Sequence, residues 1–414
     1  MNLHLKYTQE LFSKSLEITG SKSEANRLLI LKALYPSIQI ENLSNSDDSK
    51  VMQQALASDQ EVIDIHHAGT AMRFLTSYFA LQQGRNTLLT GSERMQQRPM
   101  KILVEALKDL GADISYEKQE GFPPLRILGK KITKKNVKLK ANVSSQYISS
   151  LMLIGSCLQD GLCIELEGKV TSVPYINMTL SLLNEIGVEG AFEDNTIRIA
   201  PLKSKLSSSK VVVESDWSSA SYFYSIVALT DLPIEIQLSS YKKDSYQGDS
   251  SLVSIYEKLG VRTRFEEHSI VLDKDPDFVK TEATFSETLD LSGSPDIAQT
   301  IAVTCFGMGL SCHLSGLHTL KIKETDRLVA LKTEIEKLGG NVVITNDSLT
   351  LDKIETSAIK SNIAIDTYQD HRMAMAFAPL ALRTDLIINN ANVVSKSYPD
   401  FWNDLKVLGF QMNS

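Results

Sequence analysis

The chain has 414 residues, of which 43% are hydrophobic and 22% charged, with a formal net charge of −7. That length outgrows a single hydrophobic core and suits two domains of about 200 residues each, while the acidic balance speaks against nucleic acid or an anionic membrane surface as the main partner. Cys157, Cys163, Cys305 and Cys312 sit in apolar contexts without C-x-x-C spacing, which indicates buried reduced thiols of a cytosolic protein, neither a disulfide framework nor a zinc site.

The first six residues alternate like a strand and contain no apolar stretch of the kind a secretion signal needs. Gly20-Ser21-Lys22-Ser23-Glu24-Ala25-Asn26-Arg27 then opens a helix whose apolar face is Leu28, Leu31 and Leu34. Ser21 or Ser23 can cap it, and Lys22 and Arg27 stand near its start unpaired by sequence neighbours. The stretch lacks the spacing of a P-loop, so it is either an anion site or a capped surface helix.

His67-Ala68-Gly69-Thr70-Ala71-Met72-Arg73 again leads from loop into helix. Gly69 would let a ligand approach the backbone, Thr70 can cap, and the apolar run over 71–81 predicts a buried helix. His66 and His67 have no third ligand at a usual metal spacing. Arg94 and Arg98 lie four apart just before Pro99, a residue that favours helix starts. Ser144-Ser145-Gln146 precedes the apolar run 148–154, and its paired hydroxyls suit either a phosphate or a plain cap. Asp216 begins a similar serine-rich stretch, read here as a structural cap.

Pro295-Asp296 places a carboxylate at the N-cap of a buried helix over 297–306, where it could titrate if desolvated. From Ile297 to Leu320 the chain has no Asp, Glu, Lys or Arg. Gln299, Thr300 and Thr304 are too polar for a membrane span, and Gly307 and Gly309 split the stretch into helix and strand. Next, Lys321, Lys323 and Arg327 interleave with Glu324, Thr325 and Asp326 at the predicted start of an amphipathic helix. Lys323 and Arg327, four apart, would share one face of it. Cations at a helix N-terminus are electrostatically costly unless an anion completes the arrangement. Asp370-His371-Arg372-Met373 repeats the device, and Lys396 follows in a loop held by Pro399.

One phrase organises the whole chain: an amphipathic helix, a Leu/Ile-Gly, then alternating strands joined by a polar turn. It ends in Gly111, Gly187, Gly260, Gly339 and Gly409, roughly 75 residues apart. Each glycine fits the left-handed position that closes a helix. The repeat predicts a mixed α/β architecture of two domains with about three units each. The scattered basic helix starts then suggest a cleft that takes a small substrate pair bearing phosphates and carboxylates.

On 20–27, 68–73, 94–99, 144–146, 295–296, 323–327, 370–375 and 396–400 the sequence resembles the 5-enolpyruvylshikimate-3-phosphate synthase family of enolpyruvyl transferases, along nearly its full length. The resemblance implies two inside-out α/β domains, each of three βαβαββ units, with a ligand cleft between them. One would cover 20–213; the other would combine 1–19 with 214–414. It implies transfer of the enolpyruvyl group of phosphoenolpyruvate to the 5-hydroxyl of shikimate 3-phosphate, without metal or organic cofactor. The enzyme would be a cytoplasmic monomer with no nucleic-acid or membrane partner.

Carried over by position, Lys22, Ser23, Arg27, Ser144, Ser145, Gln146, Ser172, Asp296 and Lys323 would hold shikimate 3-phosphate, with Tyr175 and Thr319 beside it. Phosphoenolpyruvate would meet Lys22, Gly69, Thr70, Arg98, Gln146, Arg327, His371, Arg372 and Lys396. Asp296 would be the base for the attacking hydroxyl, and Glu324 with Lys22 would manage the proton at the methylene carbon. The chain departs from the family pattern at His67 and Thr319, where Asn is usual, and at Phe74, where many members carry proline. The sister transferases acting on a UDP-amino sugar normally have a reactive loop cysteine, and 94–99 contains none.

Overall fold

The computed structural model describes residues 1–8, 10–140, 144–168, 170, 173–202, 210–281 and 288–413. The chain divides into two compact units, one of Gly20–Val213 and one of Met1–Thr19 with Glu214–Ser414.

Residues 62–128 lay out the repeating element. Strand Val62–Asp64 leads into helix Gly69–Leu81 and strand Asn86–Thr90. The short helix Glu93–Gln96, the helix Lys101–Leu110 and the strands Asp113–Tyr116 and Leu125–Leu128 follow. The first two strands pair in parallel because a helix carries the chain back between them. The last two form a hairpin and pair antiparallel, so the sheet order is first, second, fourth, third.

The same order recurs in the sheet built from Asn136–Lys140, Leu162–Glu167, Gly190–Glu193 and Thr196–Ile199. The third copy in this unit pairs Gln39–Glu41 with Lys210–Val212 in parallel, beside helices Lys22–Leu34 and Asp47–Ala57. In the other unit three four-stranded sheets repeat the pattern. In one of them the chain's own start supplies a strand: Leu3–Leu5 lies between Leu386–Ile388 and Met412–Asn413.

The five glycines of the repeat all take positive φ: Gly111 (111°), Gly187 (86°), Gly260 (79°), Gly339 (102°) and Gly409 (110°). Each follows the second helix of its unit, where a left-handed residue lets the chain turn out toward the strands. First helices have a different job. Gly69–Leu81 and Ser145–Gly155 in one unit, and Trp217–Leu229 and Ala298–Met308 in the other, are buried along nearly their whole length. They pack on one another while strands alternate buried and exposed, as Asn136–Lys140 does. Helices inside and sheets outside make each unit an inside-out α/β body.

Hydroxyls stitch the buried helices together. Ser221 and Thr300 lie 3.0 Å apart, and one turn on Thr304 donates to Ser225 at 2.7 Å. Ser77 and Ser150 make the equivalent contact at 2.6 Å in the other unit. Such pairs satisfy polar groups that would otherwise be buried at cost.

Two expectations need correction. The apolar run over 374–382 reads in the sequence as one buried helix like 71–81, but the chain is α-helical only over His371–Phe377 and continues as the 3-10 turn Ala378–Leu382. Pro379 has no N–H and its ring opposes the α-helical ladder. The cysteines, expected to be buried, divide: Cys305 and Cys312 are buried, whereas Cys157 is exposed and Cys163 half-buried. Cys157 lies in the turn after helix Ser145–Gly155, and Cys163 on a strand whose side chains alternate in burial. No helix among the described residues is long and apolar enough to cross a membrane.

Candidate active site

Within Gly20–Val213 the expected residues gather at three helix starts. Ser21 occupies the N-cap of Lys22–Leu34 but makes no side-chain cap bond. Lys22, half-buried, lies 3.5 Å from Asp48. Arg27, on the same helix, is 2% exposed. Its guanidinium donates to Thr179 Oγ1 at 2.8 Å, to the Ser23 carbonyl at 2.7 Å and to Ser149 Oγ at 2.9 Å. It also stacks against Phe74 (5.4 Å) and Tyr175 (5.8 Å). Burial pulls its pKa down to about 10, partly offset by Tyr175 and Glu24. Neutral oxygens carry all these bonds, so the charge remains available to an anion.

Gly69 is the first residue of its helix, and a Cβ there would stand 2.3 Å from Arg98 Nη1. The absence of a side chain is therefore what lets the Arg98 guanidinium lie against this backbone. Next to Arg98 in the chain, the Pro99 carbonyl accepts from the Tyr147 hydroxyl. Thr70 does not cap the helix as expected. It sits inside the first turn, past the cap position at Ala68, and its Oγ1 accepts from Gln146 Nε2 at 3.2 Å. Ser144 caps Ser145–Gly155 through the Gln146 N–H. The helix starts at 69 and 145 are thus cross-linked through Thr70 and Gln146. Ser172 lies outside the described residues.

The other unit contains a denser cluster. Arg327, 2% exposed, donates from Nε to Asp370 Oδ2 at 2.6 Å, from Nη1 to Asp296 Oδ1 at 2.7 Å and from Nη2 to Glu324 Oε2 at 2.9 Å. Arg372 donates to the Asp296 carbonyl at 3.1 Å and to Ser218 Oγ at 3.2 Å, and lies 3.4 Å from Asp296 Oδ2. Lys323 stands 3.5 Å from Asp296 Oδ1. Burial alone would push the Asp296 carboxyl up, but Lys323, Arg372 and Arg327 outweigh it and hold it well below the ordinary carboxylate range. His371 is buried beside Asp370, and half-buried Lys396 donates to the Gln369 carbonyl at 2.8 Å. The Thr319 hydroxyl is buried and makes no hydrogen bond among the described residues, although the residue as a whole is half-buried.

The shared helix face expected for Lys323 and Arg327 does not form. A 3-10 turn ends at Ile322, Lys323 is non-helical, and the helix begins at Arg327. Asp326 takes the N-cap and accepts from the N–H groups of Leu328 and Val329, which fixes the start past Lys323, later than the charge pattern suggests. The two cations still meet, through Asp296 and not through helical spacing. Asp296 itself is not the N-cap of the buried helix Ala298–Met308; Ile297 is, and Asp296 lies inside the preceding 3-10 turn Pro295–Ile297, whose own N-cap is Ser294. Asp216 does cap its helix, through the Ser219 N–H.

Three participants had no role assigned to them from the sequence. Asp370 is both the N-cap of His371–Phe377 and a counter-ion of Arg327, a pairing across 43 residues. Ser218 bridges Arg372 to the buried Asp249. Burial first, then Asp296, pushes Asp249 up to about 6. Among the described residues no group of three His, Cys, Asp or Glu stands ready to hold a metal ion.

This repeated architecture is that of the enolpyruvyl transferases. EPSP synthase from Acinetobacter baumannii superposes with a TM-score of 0.77 over 100% of both chains at 19% identity. The enolpyruvyl transferase NikO from Streptomyces tendae gives 0.74 over 100% of this chain and 98% of its own, at 14% identity. The chain belongs to the EPSP synthase (3-phosphoshikimate 1-carboxyvinyltransferase) family, whose profile matches residues 53–405. A 3-phosphoshikimate 1-carboxyvinyltransferase of Bacteroides fragilis strain YCH46 is 46% identical over 402 residues, 96% of this chain and 95% of the relative. The protein of that name from Shewanella pealeana is 33% identical over 96% of this chain and 97% of its own.

Proposed function

We propose that the chain transfers the enolpyruvyl group of phosphoenolpyruvate to the 5-hydroxyl of shikimate 3-phosphate and releases phosphate. The observation that carries the reading is the convergence of Asp296, Glu324, Asp370, Lys323 and Arg372 around Arg327, in a chain similar over 96% of its length to a carboxyvinyltransferase.

In this reading the substrate hydroxyl gives its proton to Asp296 as its oxygen bonds to the central carbon of the enol. A proton added to the methylene carbon, handled by Glu324 and Lys22, makes that central carbon electrophilic. Loss of a proton from the resulting methyl group then expels phosphate and restores the double bond. A carboxylate held as low as Asp296 is a poor base while it keeps its cations. Substrate phosphate and carboxylate groups compete for Lys323, Arg327 and Arg372, so occupancy raises the basicity of Asp296 when it is needed.

Lys22, Ser23, Arg27, Ser144, Ser145, Gln146, Ser172, Tyr175, Asp296, Thr319 and Lys323 are assigned to shikimate 3-phosphate. Lys22, Gly69, Thr70, Arg98, Gln146, Arg327, His371, Arg372 and Lys396 are assigned to phosphoenolpyruvate. The Arg27 guanidinium, held by the neutral oxygens of Thr179, Ser23 and Ser149, and the Arg98 guanidinium resting on Gly69 support these roles. We further propose a monomeric protein of the cytoplasm.

The test is a phosphate-release assay with shikimate 3-phosphate and phosphoenolpyruvate, run beside UDP-N-acetylglucosamine as the competing acceptor. Release with shikimate 3-phosphate, lost in Lys22→Met, is expected. Release only with the UDP-sugar would overturn the assignment.

A further inference from the structure

The chain reaches Asp370 through backbone that resists its own conformation. Tyr368 (φ 52°) and Gln369 (φ 57°) are consecutive non-glycine residues in the left-handed region. Side chains crowd the backbone there, and only short polar residues such as Asn visit it readily. Two such residues in a row persist only where the surroundings hold them.

The hold comes from helix Arg327–Lys337. Tyr368 donates its phenol to Glu334 Oε1 at 2.5 Å. Glu334 is fully buried at 0% exposure, and its other oxygen accepts from the Asp366 N–H at 3.2 Å and lies 2.8 Å from Lys337 Nζ. Lys337 also reaches Asp366 Oδ2 at 2.8 Å, while Asn389 donates to Asp366 Oδ1 at 2.8 Å. At the other end of the same helix Arg327 grips Asp370 at 2.6 Å. The segment between is clamped twice by one rigid element. What the clamp presents is chemical: the Gln369 carbonyl holds Lys396, and Arg372 follows Asp370 by two residues.

We propose that Tyr368 is a positioning residue for the transfer reaction, its bond to Glu334 holding the left-handed pair Tyr368 and Gln369 so that Arg372 and Lys396 are aimed at phosphoenolpyruvate. The proposal rests on the functional reading above. Tyr368 touches no substrate in it; the residue is 37% exposed while its hydroxyl is tied down. A role in fold stability alone would affect both substrates alike.

The experiment compares wild type with Tyr368→Phe, varying each substrate in turn in the phosphate-release assay and following amide hydrogen exchange of the ligand-free proteins. The KM for phosphoenolpyruvate should rise about tenfold while that for shikimate 3-phosphate moves less than about twofold. Exchange should quicken by about tenfold over 366–372 and stay unchanged in helix Ala298–Met308. The double variant Tyr368→Phe with Gln369→Asn should recover most of the lost affinity, because Asn accepts the left-handed region without the tether. Unchanged KM values, equal rises in both, or no recovery in the double variant would each overturn the proposal. A wild-type protein silent in the assay would refute the functional reading instead. Exchange over 366–372 would then decide by itself whether Tyr368 holds the segment.

Discussion

Asp296 and Arg327 are bonded at 2.7 Å, so the carboxylate assigned as base and a guanidinium assigned to substrate occupy each other before any ligand arrives. Any anion entering this cluster must displace a carboxylate from its cations. Asp296→Asn should therefore bind inorganic phosphate more tightly than wild type, by about tenfold, while turnover disappears. Titration calorimetry of both proteins with phosphate checks this, and weaker binding by the variant would contradict it. The same substitution strips a partner from buried cations and should cost about 3 kcal/mol in urea unfolding.

Asp249 supplies a pH test with a defined sign. Its carboxyl is pushed up to about 6 when folded, against about 3.9 for a free Asp, chiefly by burial and then by Asp296. A raised folded value means that the native state holds the proton more tightly. Its contribution to stability is thus complete below about pH 4 and is lost as pH rises through 6. Wild type should lose roughly 2 kcal/mol relative to Asp249→Asn between pH 4 and pH 7. Parallel urea midpoints for the two proteins across that range would show the carboxyl ionising normally.

Much of this was legible in the residue order, and the illegible part has a common cause. Gly111, Gly187, Gly260, Gly339 and Gly409 announce the repeat because a helix closing in the left-handed region demands glycine, a purely local requirement. Ser144 as a cap and 71–81 as a buried helix are local in the same way. The start of the helix at Arg327 was misjudged because Asp326, a better N-cap than anything before it, competes with the charge pattern. Asp370 with Arg327, and Tyr368 with Glu334, join residues 43 and 34 positions apart. Nothing in either stretch taken alone specifies its partner, so those bonds appear only once the fold brings the segments together.

Gly69→Ala probes the Arg98 contact. The added Cβ would meet Arg98 Nη1 at 2.3 Å and Arg73 Nη1 at 3.1 Å, both ends of flexible side chains. The protein should fold with less than about 1 kcal/mol of change, since Gly69 lies in a helix where Ala is the better former. The displaced guanidinium should raise the KM for phosphoenolpyruvate at least about tenfold and leave that for shikimate 3-phosphate within about twofold. A variant with both values unchanged would remove Arg98 from the phosphoenolpyruvate site.

Two glycines of the repeat separate backbone strain from steric clash. Gly111 and Gly260 close equivalent helices at φ of 111° and 79°. A Cβ on Gly111 would find only Thr133 Oγ1, at 4.0 Å, whereas on Gly260 it would drive into the Phe278 ring at 2.4 Å. Gly111→Ala should therefore cost only the left-handed penalty, about 1 kcal/mol. Gly260→Ala should cost that and the displacement of a packed ring, about 3 kcal/mol together. Relieving the ring in the double variant Gly260→Ala with Phe278→Ala should make the two substitutions non-additive by about 1 kcal/mol or more, measured as a double-mutant cycle in urea. Additive costs would mean that the strand-side packing at Gly260 yields freely, and that backbone conformation alone selects glycine at every turn of the repeat.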